Sequence, residues 1–120
     1  MTKIVLIGGY PKGYSEPFHI KTKSGRILHK IKDELKITPE LFDLWKTEEE
    51  ENARTLTKAT KSKLNRYIRE NYKLIALGRY IEKELIDNKF TCEYLPHPAS
   101  RDAKFLIRLK SGLEKFKKGL

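Results

Sequence analysis

Four consecutive apolar residues, Ile4-Val5-Leu6-Ile7, stop abruptly at Gly8-Gly9, and they limit the possible folds more than anything else in the sequence. A strand that is apolar at successive positions has no polar face to offer water. It must be covered on both sides, which is the situation of a central strand in a parallel sheet. The rest of the chain supplies covering elements. Ser24-Gly25 opens a helix with Ile27, Leu28, Ile31 and Leu35 on one face, and Lys73 to Leu77 repeats the buried-strand pattern before Gly78. Arg79 to Asp87 has helical spacing with Tyr80, Ile81 and Leu85 inward. Phe90 to Leu95 alternates as a third strand ended by Pro96, and Ser100 to Lys118 is an amphipathic helix.

Between these lie less decided stretches. Thr38-Pro39-Glu40 has the form of a helix start, with Pro at the first helical position and an acid in the first turn. Leu41 to Trp45 is too short to separate strand from helical turn, and Glu48 to Glu51 is a solvated acidic run. Leu56 to Asn71 is strongly basic, with Leu64, Tyr67 and Ile68 at helical spacing. Alternating strands and helices in 120 residues predict one α/β domain, residues 1–120, built as three α/β/α layers around a short, mostly parallel sheet.

Composition excludes several function classes. Cys92 is the only cysteine, so there is no internal disulfide framework, no Cys-built zinc site and no all-cysteine iron–sulfur cluster. His19 and His29 have no third partner at ligand spacing, and the reading is of no metal and no cofactor. No apolar run approaches the ~18 residues of a membrane span, and the N-terminal sequence lacks the form of a signal peptide. The expectation is an intracellular protein, of cytoplasm or nucleoid, without a membrane partner. Lys and Arg total 26 against 16 acidic residues, a formal net charge of +10, which makes nucleic acid the first partner to consider.

Ligands of open α/β sheets bind beyond the carboxyl ends of the strands. Three such ends are the loop from Gly8 onward, Gly78-Arg79, and Pro96 to Arg101. Gly8 and Gly13 have the outer spacing of a phosphate-binding G-x-x-x-x-G loop, but Tyr14-Ser15 stands where Lys-Ser/Thr is required. The first loop is therefore a turn whose backbone can approach a phosphate or a base closely. His97 is held between Pro96 and Pro98, which stiffens its backbone, and an imidazole there suits proton transfer or stabilisation of a developing anion. No G-x-S-x-G elbow surrounds any serine.

Taken in order, the fragments Ile4-Val5-Leu6-Ile7-Gly8-Gly9-Tyr10-Pro11, Pro17-Phe18 with Ser24-Gly25-Arg26-Ile27-Leu28, Leu74-Ile75-Ala76-Leu77-Gly78-Arg79, and Leu95-Pro96-His97-Pro98-Ala99-Ser100-Arg101 resemble the uracil-DNA glycosylase superfamily. The resemblance implies a three-layer α/β fold and hydrolysis of the N-glycosidic bond of uracil or a related damaged base, flipped out of single- or double-stranded DNA. On its terms Phe18 stacks on the base beside Gly8, Gly9 and Tyr10, and His97 hydrogen-bonds the departing anion. Ser24, Gly78 and Arg79 hold phosphates, and Ser100 and Arg101 meet the groove. Independently of the resemblance, Lys61 and Lys63 on the basic stretch are candidates to track the DNA backbone.

The family's first motif carries Glu, Asp or Asn in many members where this chain has Gly9. Its second strand ends in an Asn that reads the uracil edge, and Asn52 is the nearest Asn here. Two other readings stand beside catalysis. One is an inactive module of this fold that binds nucleic acid or a nucleotide; the other is a small nucleotide or phosphate enzyme on a flavodoxin-like sheet.

Overall fold

The computed structural model describes residues 3–10, 18–98 and 103–118. In chain order these form β1 (Lys3–Gly8), α1 (Lys23–Leu35), β2 (Glu40–Asp43), α2 (Glu48–Ala53), α3 (Lys58–Arg69), β3 (Tyr72–Leu77), α4 (Arg79–Asp87), β4 (Glu93–Leu95) and α5 (Ala103–Lys118). The strands make one sheet in the order β2-β1-β3-β4, and every pair in it is parallel. As the apolar run requires, β1 is central. Val5 and Ile7 point into a core shared with Leu64 and Tyr67 of α3 and Ile81 and Leu85 of α4. Leu6 points the other way, among Leu28 and Ile31 of α1 and Leu109 and Leu113 of α5. Helices thus cover both faces.

The topology fixes where a ligand would go. From β1 the chain passes through α1 to β2 on one side of the sheet, and from β3 it passes through α4 to β4 on the other. The loops leaving β1 and β3 diverge, and divergence of this kind opens a crevice at the carboxyl ends of the two strands.

Local chemistry sets the element ends. The Thr22 hydroxyl caps α1 by accepting from the Gly25 N–H at 2.9 Å, so the helix begins one residue before Ser24. It stops at Lys36, whose left-handed backbone (φ 56°) closes the last turn. A Cβ on Gly25 would overlap the backbone carbonyl oxygen of His19, so only glycine lets the segment carrying Phe18 lie directly on α1.

Several sequence expectations need correction. Thr38-Pro39-Glu40 starts no helix: Glu40 opens β2, whose residues pair with Val5 to Gly8. Proline is tolerated just ahead of an edge strand, where its missing N–H removes no ladder bond. The acidic run is the short helix α2, capped by the Thr47 hydroxyl, which accepts from the Glu50 N–H at 3.1 Å. The third predicted strand shrinks to Glu93–Leu95 and becomes the fourth. Tyr80 is 67% exposed rather than inward, because Ile81 and Leu85 alone face the sheet, and the Arg54 guanidinium lies 4.2 Å from its ring centroid. Ile68 is likewise 44% exposed, leaving Leu64 and Tyr67 as the inward pair of α3.

Candidate functional site

At the carboxyl end of β1 the chain reaches Gly8, and the ring of Phe18 lies directly over it. A Cβ on Gly8 would stand 2.5 Å from Phe18 Cζ, so a larger residue at 8 would displace the ring. Phe18 itself has positive φ (51°), an uncommon backbone for a bulky side chain. Two interactions hold it there: His29 Nε2 donates to the Phe18 carbonyl at 3.0 Å, and Gly25 admits the same stretch of backbone against α1. A strained residue fixed by its surroundings is a common device of ligand sites. Phe18 is also 7% exposed and part of the core that includes Leu6 and Leu28, so it serves packing as well as the site.

The neighbouring strands supply the flanks. Asp43, the last residue of β2, is in register with Gly8, and the Leu44 N–H donates to the Gly8 carbonyl at 2.9 Å. On the other side, Gly78 ends the loop from β3 with φ 106°, a conformation reserved for glycine, and its N–H donates to the Leu95 carbonyl at 2.9 Å. His97 packs on that glycine, its Cβ 3.5 Å from where a Gly78 Cβ would be. The result is a cavity of about 290 Å³ lined by Gly8, Gly9, Tyr10, Phe18, Thr22, Lys23, Ser24, Asp43, Glu51 and His97. That lies at the small end of ligand sites and suits a single base better than a dinucleotide.

Gly8, Gly9, Tyr10, Phe18, Ser24 and His97, all site candidates from the sequence, are brought by the fold to one cavity. Ser24 lies at the N-terminus of α1, where backbone N–H groups and the helix dipole favour an anion, and Lys23 adds a full charge beside it. Gly78 does not line the cavity but backs His97. Arg79 lies outside it: its Nη1 donates to Glu82 Oε1 at 2.8 Å, and its guanidinium is 3.6 Å from the Tyr94 ring centroid. Ser100 and Arg101 fall outside the described residues, as do residues 11–17 of the Gly8 to Lys23 loop. Lys61 and Lys63 are exposed on α3; neither has an ion pair among the described residues, and Lys63 Nζ stands 5.5 Å from the Tyr67 ring centroid.

Two carboxyl groups in the wall escape the sequence reading. Glu51 belongs to the run read as solvated, yet its Oε2 lies 3.6 Å from where a Gly9 Cβ would be, with the Trp45 ring 3.1 Å from the same point. Position 9 is therefore fenced by an indole and a carboxylate from elsewhere in the chain. Asp43 is 5% exposed, and among the described residues no hydrogen bond reaches its carboxyl. Burial pushes that carboxyl up from its ordinary 3.8 to about 6, opposed by the positive charge of Lys46.

A carboxyl whose folded value exceeds its unfolded one favours the native state only while protonated. The penalty is absent below pH 3.8, grows as pH rises, and is complete above about 6. Asp43→Asn removes it. The variant should melt with the wild type near pH 4 and higher by on the order of 5–10 °C at pH 8, from about 2–3 kcal/mol of relieved desolvation. Equal melting temperatures at both pH values would show Asp43 to be well solvated. The charged and titratable groups beside it in the cavity are Tyr10, Lys23, Glu51 and His97.

Comparison with known proteins gives no family model, no characterised protein and no solved structure that matches this chain.

Proposed function

We propose that this protein binds an unstacked nucleobase and hydrolyses its N-glycosidic bond, as a DNA glycosylase with the fold and chemistry of the uracil-DNA glycosylase type. One observation carries the reading: three of the four fragments of the resemblance, spread from Gly8 to His97, contribute residues to a single cavity at the diverging ends of the central strands, and the fourth backs it through Gly78. On this reading Phe18 is the stacking platform. Lys23 and the N-terminus of α1 take the flanking phosphate, and the exposed lysines of α3 follow the backbone. The C1′–N bond breaks with its electron pair leaving on the base, and His97 stabilises the anion in a site that excludes bulk water. Water adds its oxygen to C1′ and yields a proton to Glu51, which supplies the carboxylate that Gly9 lacks.

The direct test is abasic-site formation, read by alkaline cleavage, on single- and double-stranded oligonucleotides carrying one uracil or one damaged base. Release supports the reading. Retention of the DNA without release from any strand selects the inactive binding module instead.

Stacking on Phe18 predicts a separable effect. Base–aromatic stacking is worth ~1–3 kcal/mol, so Phe18→Leu should weaken binding of a single-stranded oligonucleotide by roughly 5- to 150-fold. Leucine keeps much of the core volume, whereas Phe18→Ala leaves a cavity costing about 3–5 kcal/mol of stability. Comparing affinity with melting temperature for the two variants separates platform from core. A Phe18→Leu variant that binds like the wild type would confine Phe18 to packing.

If α3 tracks the DNA backbone, the double variant Lys61→Glu, Lys63→Glu weakens binding to all sequences alike. It also flattens the dependence of log affinity on log salt by roughly 0.9 for each duplex phosphate that is no longer neutralised. An unaltered slope in the folded variant would assign these lysines to solubility.

A further inference from the structure

We propose that the rim beside the cavity, built on Tyr80 and Arg54, is a stacking surface for a base neighbouring the flipped one, so that the protein takes its substrate from single-stranded DNA in preference to duplex. The inference rests on the base-binding reading of the cavity and adds the state of the strand that enters it.

Tyr80 is the second residue of α4 and is 67% exposed, the most exposed large apolar side chain among the described residues. Ile81 and Leu85 hold the helix on the sheet without it. The Arg54 guanidinium, 4.2 Å from the ring centroid, covers one face of the ring and leaves the rest open. One residue before Tyr80, the Arg79 guanidinium stacks 3.6 Å from the Tyr94 ring centroid. The end of α2, the first turn of α4 and β4 thus bring two rings and two guanidinium planes to one strip.

The strip adjoins the cavity at two points. Arg54 follows α2 directly, and Glu51 of the same helix is in the cavity wall. Arg79 follows Gly78, against which His97 of the cavity packs. Tyr94 is in register with Ala76, next to the last residue of β3, so the strip lies at the end of the sheet where the cavity opens.

The chemistry favours an unpaired strand. Every base has a π face, and aromatic rings and guanidinium planes stack on it without regard to sequence. In a duplex those faces are covered by the neighbouring base pairs. Charge sets the direction of the strand. Arg79 is partly neutralised by Glu82, whose Oε1 lies 2.8 Å away, whereas Arg54 pairs with no acid among the described residues and keeps its charge for a phosphate. At the other end of α2 the exposed Glu48 and Glu49 repel a phosphate chain. A strand leaving the cavity is steered away from the start of α2 and toward Arg54 and Tyr80.

The test is fluorescence anisotropy with a single-stranded thymine oligonucleotide carrying one central uracil, with the same strand in a duplex, and with a series in which one neighbouring base at a time is replaced by an abasic spacer. Wild type should bind the single strand roughly tenfold or more tighter than the duplex. Tyr80→Leu should weaken single-strand binding by roughly 5- to 150-fold and leave duplex binding unchanged, while Tyr80→Phe, which keeps the ring, binds like wild type. Arg54→Ala should flatten the salt dependence of single-strand binding by roughly 0.7. One spacer position should cost wild type as much as Tyr80→Leu does and cost Tyr80→Leu nothing more. Equal affinity for both strand states, Tyr80→Leu binding like wild type, or spacers that cost both proteins alike would overturn the inference. Failure of the base-binding reading looks different: Tyr80→Leu would still weaken the single strand, while Phe18→Leu and a spacer in place of the central uracil would change nothing.

Discussion

Glu51→Gln should lower single-turnover base release by roughly 10²–10⁴-fold, the usual contribution of a positioned general base, while DNA affinity stays within a few-fold of wild type. The argument is steric before it is chemical. A side chain at position 9 would meet the Trp45 ring at 3.1 Å, so a catalytic carboxylate cannot be built there without moving the indole. The Glu51 carboxylate already occupies the adjoining space, 3.6 Å from the same point, and lines the cavity together with Phe18 and His97. Glutamine preserves the shape and the hydrogen bonding to a water molecule but cannot take its proton. Equal loss in affinity and in rate would instead make Glu51 a binding or structural group. An unchanged rate would remove it from the chemistry.

His97→Ala should lower base release by on the order of 10²-fold, as expected when one donor to a developing anion is removed. His97 is backed by Gly78 and enters the cavity from the opposite flank to Asp43, so it would meet the leaving base and not the sugar-phosphate chain. Affinity for intact DNA should accordingly change little. His97→Gln, which keeps a neutral donor, should recover part of the rate. Release at the wild-type rate in His97→Ala would mean that the anion departs without its help, and the cavity's use of His97 would be confined to shape.

The central strand was legible in the sequence because Ile4 to Ile7 has no polar side, and the same logic located β3. Phe18, Ser24 and His97 were legible as fragments in sequence, although nothing in their spacing says that they meet; the strand order β2-β1-β3-β4 brings them together. β2 was hidden because Pro39-Glu40 satisfies the local grammar of a helix start. Its pairing with β1 is a long-range fact that outweighs local propensity. Glu51 was hidden by its acidic neighbours, since four glutamates in a row look alike until a helix turns Glu50 and Glu51 partly inward and leaves Glu48 and Glu49 exposed. Asp43 did leave a signal. An acid between Phe42 and Leu44, inside an otherwise apolar stretch, is a charge where burial is expected, and such residues are worth treating as site candidates.

The position of β1 at the centre of a wholly parallel sheet also shapes the chain's earliest seconds. Its partner on the inner side, β3, begins with Tyr72 opposite Lys3, so it is synthesised about 70 residues later. At ~5–20 residues per second the ribosome needs roughly 4–14 s to make that stretch. During this interval Ile4 to Ile7, uncharged and rich in β-branched residues, has one edge without its native neighbour and one face without α3 and α4, the form in which short apolar strands associate with other chains. The most secure strand of the finished molecule is thus the most vulnerable one while it is being made.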